Sequence, residues 1–248
     1  WRQVNGSEQV APRPFYFCDL RVDPHDANRI YNLEMIVDLS TDGGRTFRPL
    51  ASWVTHPDNH ALWIDPTDPE RMLLGNDGGV YQSRDRGETW TFCANLPLAQ
   101  FYHVAADLDS PYHVYGGLQD NSSWVGDSAY PGGITNGRWE NLYGGDGFWV
   151  HPDPTDSNFV YAEAQGGAIG RVNRKTLVQR DIQPKAGLHE KLRFNWNTPI
   201  HMSPNEKGTI YIGAQFLFRS RDHGQSWERI SPDLTDRKST RLNSSHRT

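Results

Sequence analysis

Along most of the chain, short apolar and β-branched runs alternate with turns rich in Gly, Pro, Asp and Asn, a pattern that suits short strands better than long helices. Residues 61–64, 72–74, 80–83 and 89–93 read as four successive strands, joined by turns short enough to make each neighbouring pair antiparallel. Residues 15–22, 101–105, 147–150 and 197–202 have the composition of the first strand in four further units.

The units repeat. Asp23, Asp65, Asp107, Asp153 and Ser203 each stand eight residues before Tyr31, Leu73, Tyr115, Tyr161 and Tyr211, and successive copies lie 42, 42, 46 and 50 residues apart. Those spacings fit a four-stranded propeller blade with loop insertions. A second motif runs in phase: Ser40-Thr41-Asp42-Gly43-Gly44-Arg45-Thr46-Phe47, Ser83-Arg84-Asp85-Arg86-Gly87-Glu88-Thr89-Trp90 and Ser220-Arg221-Asp222-His223-Gly224-Gln225-Ser226-Trp227 share Ser-x-Asp-x-Gly-x-Thr/Ser-aromatic. The Asp accepts hydrogen bonds from turn N–H groups, the Gly supplies φ > 0 and the aromatic anchors the outgoing strand, so the motif is a hairpin staple. Asp42, Asp85 and Asp222 are therefore expected to be structural. Remnants lie around Asn136-Gly137-Arg138-Trp139 and Asn173-Arg174-Lys175-Thr176. The expected fold is all-β: a β-propeller of four-stranded blades over residues 1–235, with about five blades present as a fragment of a larger propeller.

Composition narrows the class. The 248 residues are 36% hydrophobic, 22% charged and 12% aromatic, which describes a folded globular chain, and no run approaches the length of a membrane-spanning helix. The formal charge of −5 disfavours a nucleic-acid backbone binder. Cys18 and Cys93 are too few for a disulfide framework. Residues 236–248 have no apolar periodicity and resemble a translated sequencing-library adapter, so they are expected to be a non-native or disordered tail. With no leader before Trp1, any export signal is expected upstream.

If first strands run from top to bottom, the staples lie at the bottom and the remaining connections at the top. There the chain reads His56-Pro57-Asp58-Asn59-His60, Gly75-Asn76-Asp77-Gly78-Gly79, Gly116-Gly117-Leu118-Gln119-Asp120-Asn121, Gly144-Gly145-Asp146-Gly147, Gln165-Gly166-Gly167 and Asn195-Trp196-Asn197. Taken singly, each suits a tight turn capped by an Asx side chain. Taken together, Asp58, Asp77, Asp120 and Asp146 are candidate catalytic carboxylates. His56, His60, Asn76, Gln119, Asn121, Trp124, Tyr143, Gln165, Asn195 and Trp196 are candidate ligand contacts: aromatic rings stack on apolar sugar faces while amides, imidazoles and carboxylates bond hydroxyls. Such a rim also suits an extended peptide. Trp63, His103, Trp149 and His201 fall on first strands, where core packing is the default. His56-x-Asp58-x-His60 has metal-ligand types but reads better as rim hydrogen bonders, and no Ser/His/Asp, zinc or phosphate-loop pattern is present. No metal or cofactor is expected.

The succession His-Ala-Leu-Trp-Ile-Asp-Pro (60–66), Gly-Asn-Asp-Gly-Gly-Val (75–80), Gln-Phe-Tyr-His-Val (100–104), Tyr-Gly-Gly-Leu-Gln-Asp-Asn (115–121), Gly-Gly-Asp-Gly-Phe (144–148) and Arg-Phe-Asn-Trp-Asn (193–197), with the three staples, resembles bacterial BNR-repeat (Asp-box) proteins, sortilin-like or glycosyl-hydrolase-like, including the xyloglucanase type. The resemblance covers about residues 15–235. It implies an exported, extracellular or periplasmic propeller with further blades in the parent chain. No top-face Asp matches a xyloglucanase catalytic Asp by motif. Two functions stay open: a module binding a glycan or peptide across its top face, or part of a glycoside hydrolase using two of the four Asp as acid and base or nucleophile. A structural scaffold is the third reading, favoured if the rim carboxylates fold back on their own turns.

Overall fold

The computed structural model describes residues 1–14, 16–50 and 54–235. The expected tail at 236–248, and Phe15 at the start of the first expected strand, lie outside them. Among the described residues, twenty strands form five sheets of four, each antiparallel and each in sequence order. The first sheet comprises β1 (Asp19–Asp23), β2 (Asp26–Leu33), β3 (Val37–Ser40) and β4 (Arg48–Pro49). The second comprises β5 (Asn59–Ile64), β6 (Met72–Asn76), β7 (Gly79–Ser83) and β8 (Thr91–Phe92). The third holds β9 (Phe101–Ala106), β10 (His113–Leu118), β11 (Ser123–Asp127) and β12 (Trp139–Tyr143). The fourth holds β13 (Gly147–Pro152), β14 (Phe159–Ala164), β15 (Ala168–Asn173) and β16 (Gln179–Asp181). The fifth holds β17 (Ile200–Met202), β18 (Ile210–Gly213), β19 (Leu217–Ser220) and β20 (Glu228–Arg229). These are the blades of a β-propeller fragment. The chain divides into two compact units, one ending at Leu96 with the first two blades and one beginning at Pro97 with the other three.

Three expected strands start later: the first, expected over 15–22, begins at Asp19, after Tyr16 N–H has closed a turn on Arg13 O and the Phe17 ring has packed on His60. The fourth strand of the second blade begins at Thr91 rather than 89, because Thr89 gives its N–H and hydroxyl to Asp85. The fifth blade's first strand begins at Ile200 rather than 197: the Asn197 side chain reaches Trp149 Nε1 at 2.9 Å, Thr198 bonds back to Asn195, and Pro199 has no N–H to offer a ladder.

In each unit, side chains alternate between faces and facing sheets share a core. In the first, Leu62, Met72 and Leu74 pack with Tyr31, Leu33, Val37, Leu39 and Trp90, while Leu73 and Trp63 point the other way and stay exposed. In the second unit, β14 is buried on both sides: Val160 and Ala162 join the core with Tyr115 and Val125, whereas Tyr161 joins the one with Ile200, Ile210 and Ile212. Close approach sets one requirement, since a Cβ on Gly117 would lie 2.2 Å from the Gly147 carbonyl carbon.

The two ends of a blade differ in chemistry. At one end, the turn after the third strand stands beside the turn after the first, as when Arg174 N–H donates to Asn158 O at 2.8 Å. Here the three Ser-x-Asp-x-Gly hairpins have the same bonding. Asp42 Oδ1 accepts Ser40 Oγ and Thr46 N–H, and its Oδ2 accepts Thr46 Oγ1 at 2.7 Å; Asp85 and Asp222 repeat this with Ser83 and Thr89, and with Ser220 and Ser226. Gly44, Gly87 and Gly224 hold φ of 85°, 87° and 80°. The residue following the turn's acidic or amide position also latches the preceding blade. Arg174 donates to Tyr115 Oη at 2.7 Å while Tyr115 donates to Asp107 at 2.8 Å; His223 Nδ1 lies 2.7 Å from Asp153 Oδ2, which accepts Tyr161 O–H at 2.5 Å. In the first unit Tyr31 O–H donates to the Arg86 carbonyl. Leu73 stands at the equivalent tyrosine position in the second blade, where Asp65 pairs with Arg71 of its own turn at 2.7 Å.

Both cysteines are free thiols. No helix among the described residues is long and apolar enough to cross a membrane.

Candidate functional site

At the opposite end, the turn after the second strand of the first, third and fourth blades bonds to the chain entering the next blade. Asn59 N–H donates to Glu34 O at 2.8 Å, Ser122 N–H to Gly145 O at 2.8 Å and Gly166 N–H to Trp196 O at 3.0 Å. These stitches gather the candidate residues into one cluster in each unit.

In the unit ending at Leu96, the link 56–60 meets the β6–β7 turn. Asn76 Nδ2 donates to His56 O at 2.9 Å and Asn76 Oδ1 accepts Gly78 N–H, so this amide shapes its own turn. His56 packs on Gly78, where a Cβ would lie 2.5 Å from the His56 Cβ. Asp77 Oδ1 lies 2.8 Å from His60 Nε2, and the Phe17 ring rests on the imidazole with centroids 4.4 Å apart. Asp58, at φ 60°, faces Arg13 at 3.5 Å. Its left-handed backbone suits a short polar residue in a turn.

The second cluster draws on three blades. Asp146, in the link between β12 and β13, is 8% exposed. Its Oδ1 accepts the Asp120 N–H at 2.6 Å, its Oδ2 accepts Trp196 Nε1–H at 3.2 Å, and its own N–H donates to Gln165 Oε1 at 2.8 Å. Asp120, Asp146, Gln165 and Trp196 thus meet, although up to 76 residues separate them in sequence. Trp196 is 59% exposed, with its ring held by that one bond. Asp120 occupies a turn at φ 56°, next to which Asn121 Nδ2 donates to Gln119 O and Trp124 Nε1–H donates to Asn121 O at 2.6 Å. Gln119 Oε1 accepts Gln100 Nε2–H. Asn195 Oδ1 accepts the Trp196 N–H and so orients the tryptophan's backbone. Tyr143 is half-buried against Gly170, and burial, then Asp181 and Glu163, raises its phenol pKa.

On the first strands, His103 stacks on Trp149 with centroids 3.6 Å apart, and Asn197 bridges them, accepting Trp149 Nε1–H and facing His103 Nε2 at 3.3 Å. Burial lowers the His103 pKa, with the Asn197 bond opposing it. His201 is exposed beside Tyr211, and Trp63 is 49% exposed. At the stapled end, Asp107, Asp109 and His113 bring three potential metal-ligand atoms together. Asp107 is already engaged there by His113, Tyr115 and, at 3.7 Å, Arg174.

Glu163 is not among the residues that the motifs single out. It is 0% exposed on β14, and burial pushes its carboxyl up to about 8 against N–H donation from Thr198, Gly167 and Trp149, with Asp146 adding to the rise. The signal was available: Phe-Val-Tyr-Ala-Glu-Ala places one acid in an apolar strand.

No family model matches the chain. Residues amounting to 54% of it are 26% identical, over 160 positions, to a "probable oligoxyloglucan-reducing end-specific xyloglucanase" of Neosartorya fischeri, of which they cover 19%. Among solved structures, the xyloglucanase of glycoside hydrolase family 74 from Xanthomonas campestris is similar with a TM-score of 0.41 and 21% identity, over 92% of this chain and 40% of that one. The family 74 enzyme of Niastella koreensis gives a TM-score of 0.39 and 17% identity, over 85% and 37%. The chain therefore spans less than half the length of these proteins.

Proposed function

We propose that this chain is part of an exported BNR-repeat (Asp-box) propeller that binds a glycan at the rim built from Asp120, Asp146, Gln165 and Trp196. Trp196 carries the reading: a largely exposed indole, anchored at its N–H by a buried carboxylate, offers an apolar face to a sugar ring while nearby amides and carboxylates meet hydroxyls. The curated relative's name favours a glycan over a peptide. The identical bonding of the three hairpins supports the Asp-box assignment, and the family resemblance supports an extracellular or periplasmic setting.

Binding is favoured over hydrolysis because the carboxylates have structural partners: Asp146 accepts two N–H donors, Asp58 faces Arg13 and Asp77 faces His60. Hydrolysis by Asp120 and Asp146 is the second reading, supported by the bond that brings them together. Affinity electrophoresis against a polysaccharide panel including xyloglucan tests both. Retardation by one polysaccharide that Trp196→Ala abolishes is the expected result; no retardation by any of them sinks the binding reading. Reducing-sugar release lost in Asp146→Asn would establish hydrolysis instead.

A further inference from the structure

In the first blade, one face of the β2–β3 hairpin is apolar core, whereas the other is polar and still buried. Tyr31, Leu33, Val37 and Leu39 belong to the core. Asn32 and Asp38 are direct partners across the ladder, and Glu34 follows Asn32 two positions on, just past β2. Asn32 is 0% exposed, Glu34 2% and Asp38 3%. Residues 9–13 lie against them: Asn32 Nδ2–H donates to Gln9 O, and the Arg13 N–H to Glu34 Oε1, each at 3.4 Å. The chain entering the second blade fixes Glu34 from its backbone, since Asn59 N–H and Nδ2–H both donate to the Glu34 carbonyl.

One oxygen of each side chain is left over. Asn32 Oδ1, Glu34 Oε2 and Asp38 Oδ1 are buried and accept no hydrogen bond. Among the described residues, no Lys, Arg or His nitrogen lies within 4.0 Å of either carboxylate. The neighbouring Arg13 guanidinium faces Asp58 at 3.5 Å and lies over the Tyr16 and Phe17 rings. Burial raises the Asp38 pKa, against hydrogen bonds from the Gln9 and Asn32 side chains, and Glu34 adds to the rise. Two carboxylates buried near one another without a cation are costly. Two carboxylates with an amide oxygen are also a donor set suited to a hard divalent cation.

We propose that this face of the hairpin is a Ca²⁺ site, with Asn32 Oδ1, Glu34 Oε2 and Asp38 Oδ1 as ligands. Ca²⁺ takes about six to eight oxygens in a flexible shell, so water or backbone carbonyls complete it; Mg²⁺ demands a strict octahedron and gives up its water reluctantly. The bound ion neutralises the pair and fastens residues 9–13 to the hairpin, because Gln9 and Arg13 contact the same side chains. None of these residues belongs to the Trp196 cluster, so the site does not depend on the glycan reading.

The full chain, stripped with EGTA, is titrated with CaCl₂ from about 10 μM to about 10 mM at constant ionic strength, a range that includes the affinities of extracellular calcium modules. The wild-type melting temperature is expected to rise by about 3–6 °C for each tenfold excess of Ca²⁺ over its dissociation constant. In the same titration the backbone amide resonances of Arg13, Asn32 and Asp38 should shift, while those of Asp109 and His113 should not. Asp38→Asn and Glu34→Gln should each weaken binding by at least about tenfold, since affinity follows ligand charge. Asp109→Asn, in the other acidic cluster, should respond as the wild type does. Absence of amide shifts at Arg13, Asn32 and Asp38 overturns the proposal whatever the melting temperature does, and is the outcome if the two carboxyls share a proton instead. Shifts confined to Asp109 and His113, or unchanged affinity in a folded Asp38→Asn, overturn it as well. Should neither variant fold, the wild-type amide shifts decide.

Discussion

Asp222 takes hydrogen bonds from the Ser226 hydroxyl, the Ser226 N–H and the Ser220 hydroxyl, and these hold its pKa near about 2. Stability from this ionised form is present above the ordinary carboxylate range and is lost as pH falls through about 2. Thermal melts between about pH 5 and pH 2 should therefore show a steep loss in the wild type and a shallower one, from a lower start, in Asp222→Asn. Equal slopes would remove the staple from the acid response. Glu163 has the opposite sign. Its folded pKa is raised from 4.5 to about 8, so the folded state holds a proton that the unfolded chain has released, and stability falls as pH rises through that window. The contribution of this one group is at most about 1.4 kcal/mol per pH unit. Glu163→Gln should remove it, which urea denaturation at pH 5 and pH 8 would measure. Residues of these two kinds were unequally legible: Asp222 sits in a local motif whose bonds span four positions, whereas the Thr198 N–H reaches Glu163 from 35 residues away.

Between elements, an Asp–Tyr hydrogen bond accounts for the eight-residue spacing in the third and fourth blades. Asp153 ends the span from β13 and Tyr161 lies across the ladder on β14, where its O–H reaches a carboxylate whose side chain is fully buried. Tyr161→Phe should cost about 1–3 kcal/mol, the penalty of stripping a donor from a buried acceptor, while Tyr112→Phe, at an exposed ring, should cost almost nothing. Comparable losses in both would mean that the hydroxyl does not support the joint between blades. A second test uses the approach of β10 to β13. Gly117→Ala drives a Cβ into the Gly147 backbone and should cost at least about 2 kcal/mol, whereas Gly137→Ala, with nothing nearer than 3.8 Å, should be tolerated. The repeat positions were readable because period and turn chemistry are local. The latch was not, because its partner side chain comes from the hairpin of the following blade.

For the whole molecule, the two units carry separate cores, and the Trp196 cluster is built wholly from residues after Pro97. Residues 97–235 expressed alone should therefore keep a dispersed Trp196 indole resonance; its collapse to the unfolded position would show that the cluster needs residues before Pro97. The four carboxylates expected at one mouth fall into two sets, Asp58 with Asp77 and Asp120 with Asp146, within their own units. By itself the sequence determined the five blades, their strand order and the three stapled hairpins, because alternation, turn residues and short-range hydrogen bonds depend on neighbours along the chain. Only the tertiary structure decided that Asp146 would serve Asp120 and Trp196, and that Glu163 would lie beneath them. Those contacts join segments tens of residues apart, and burial, which sets the charge of Glu163, exists only once the blades have packed.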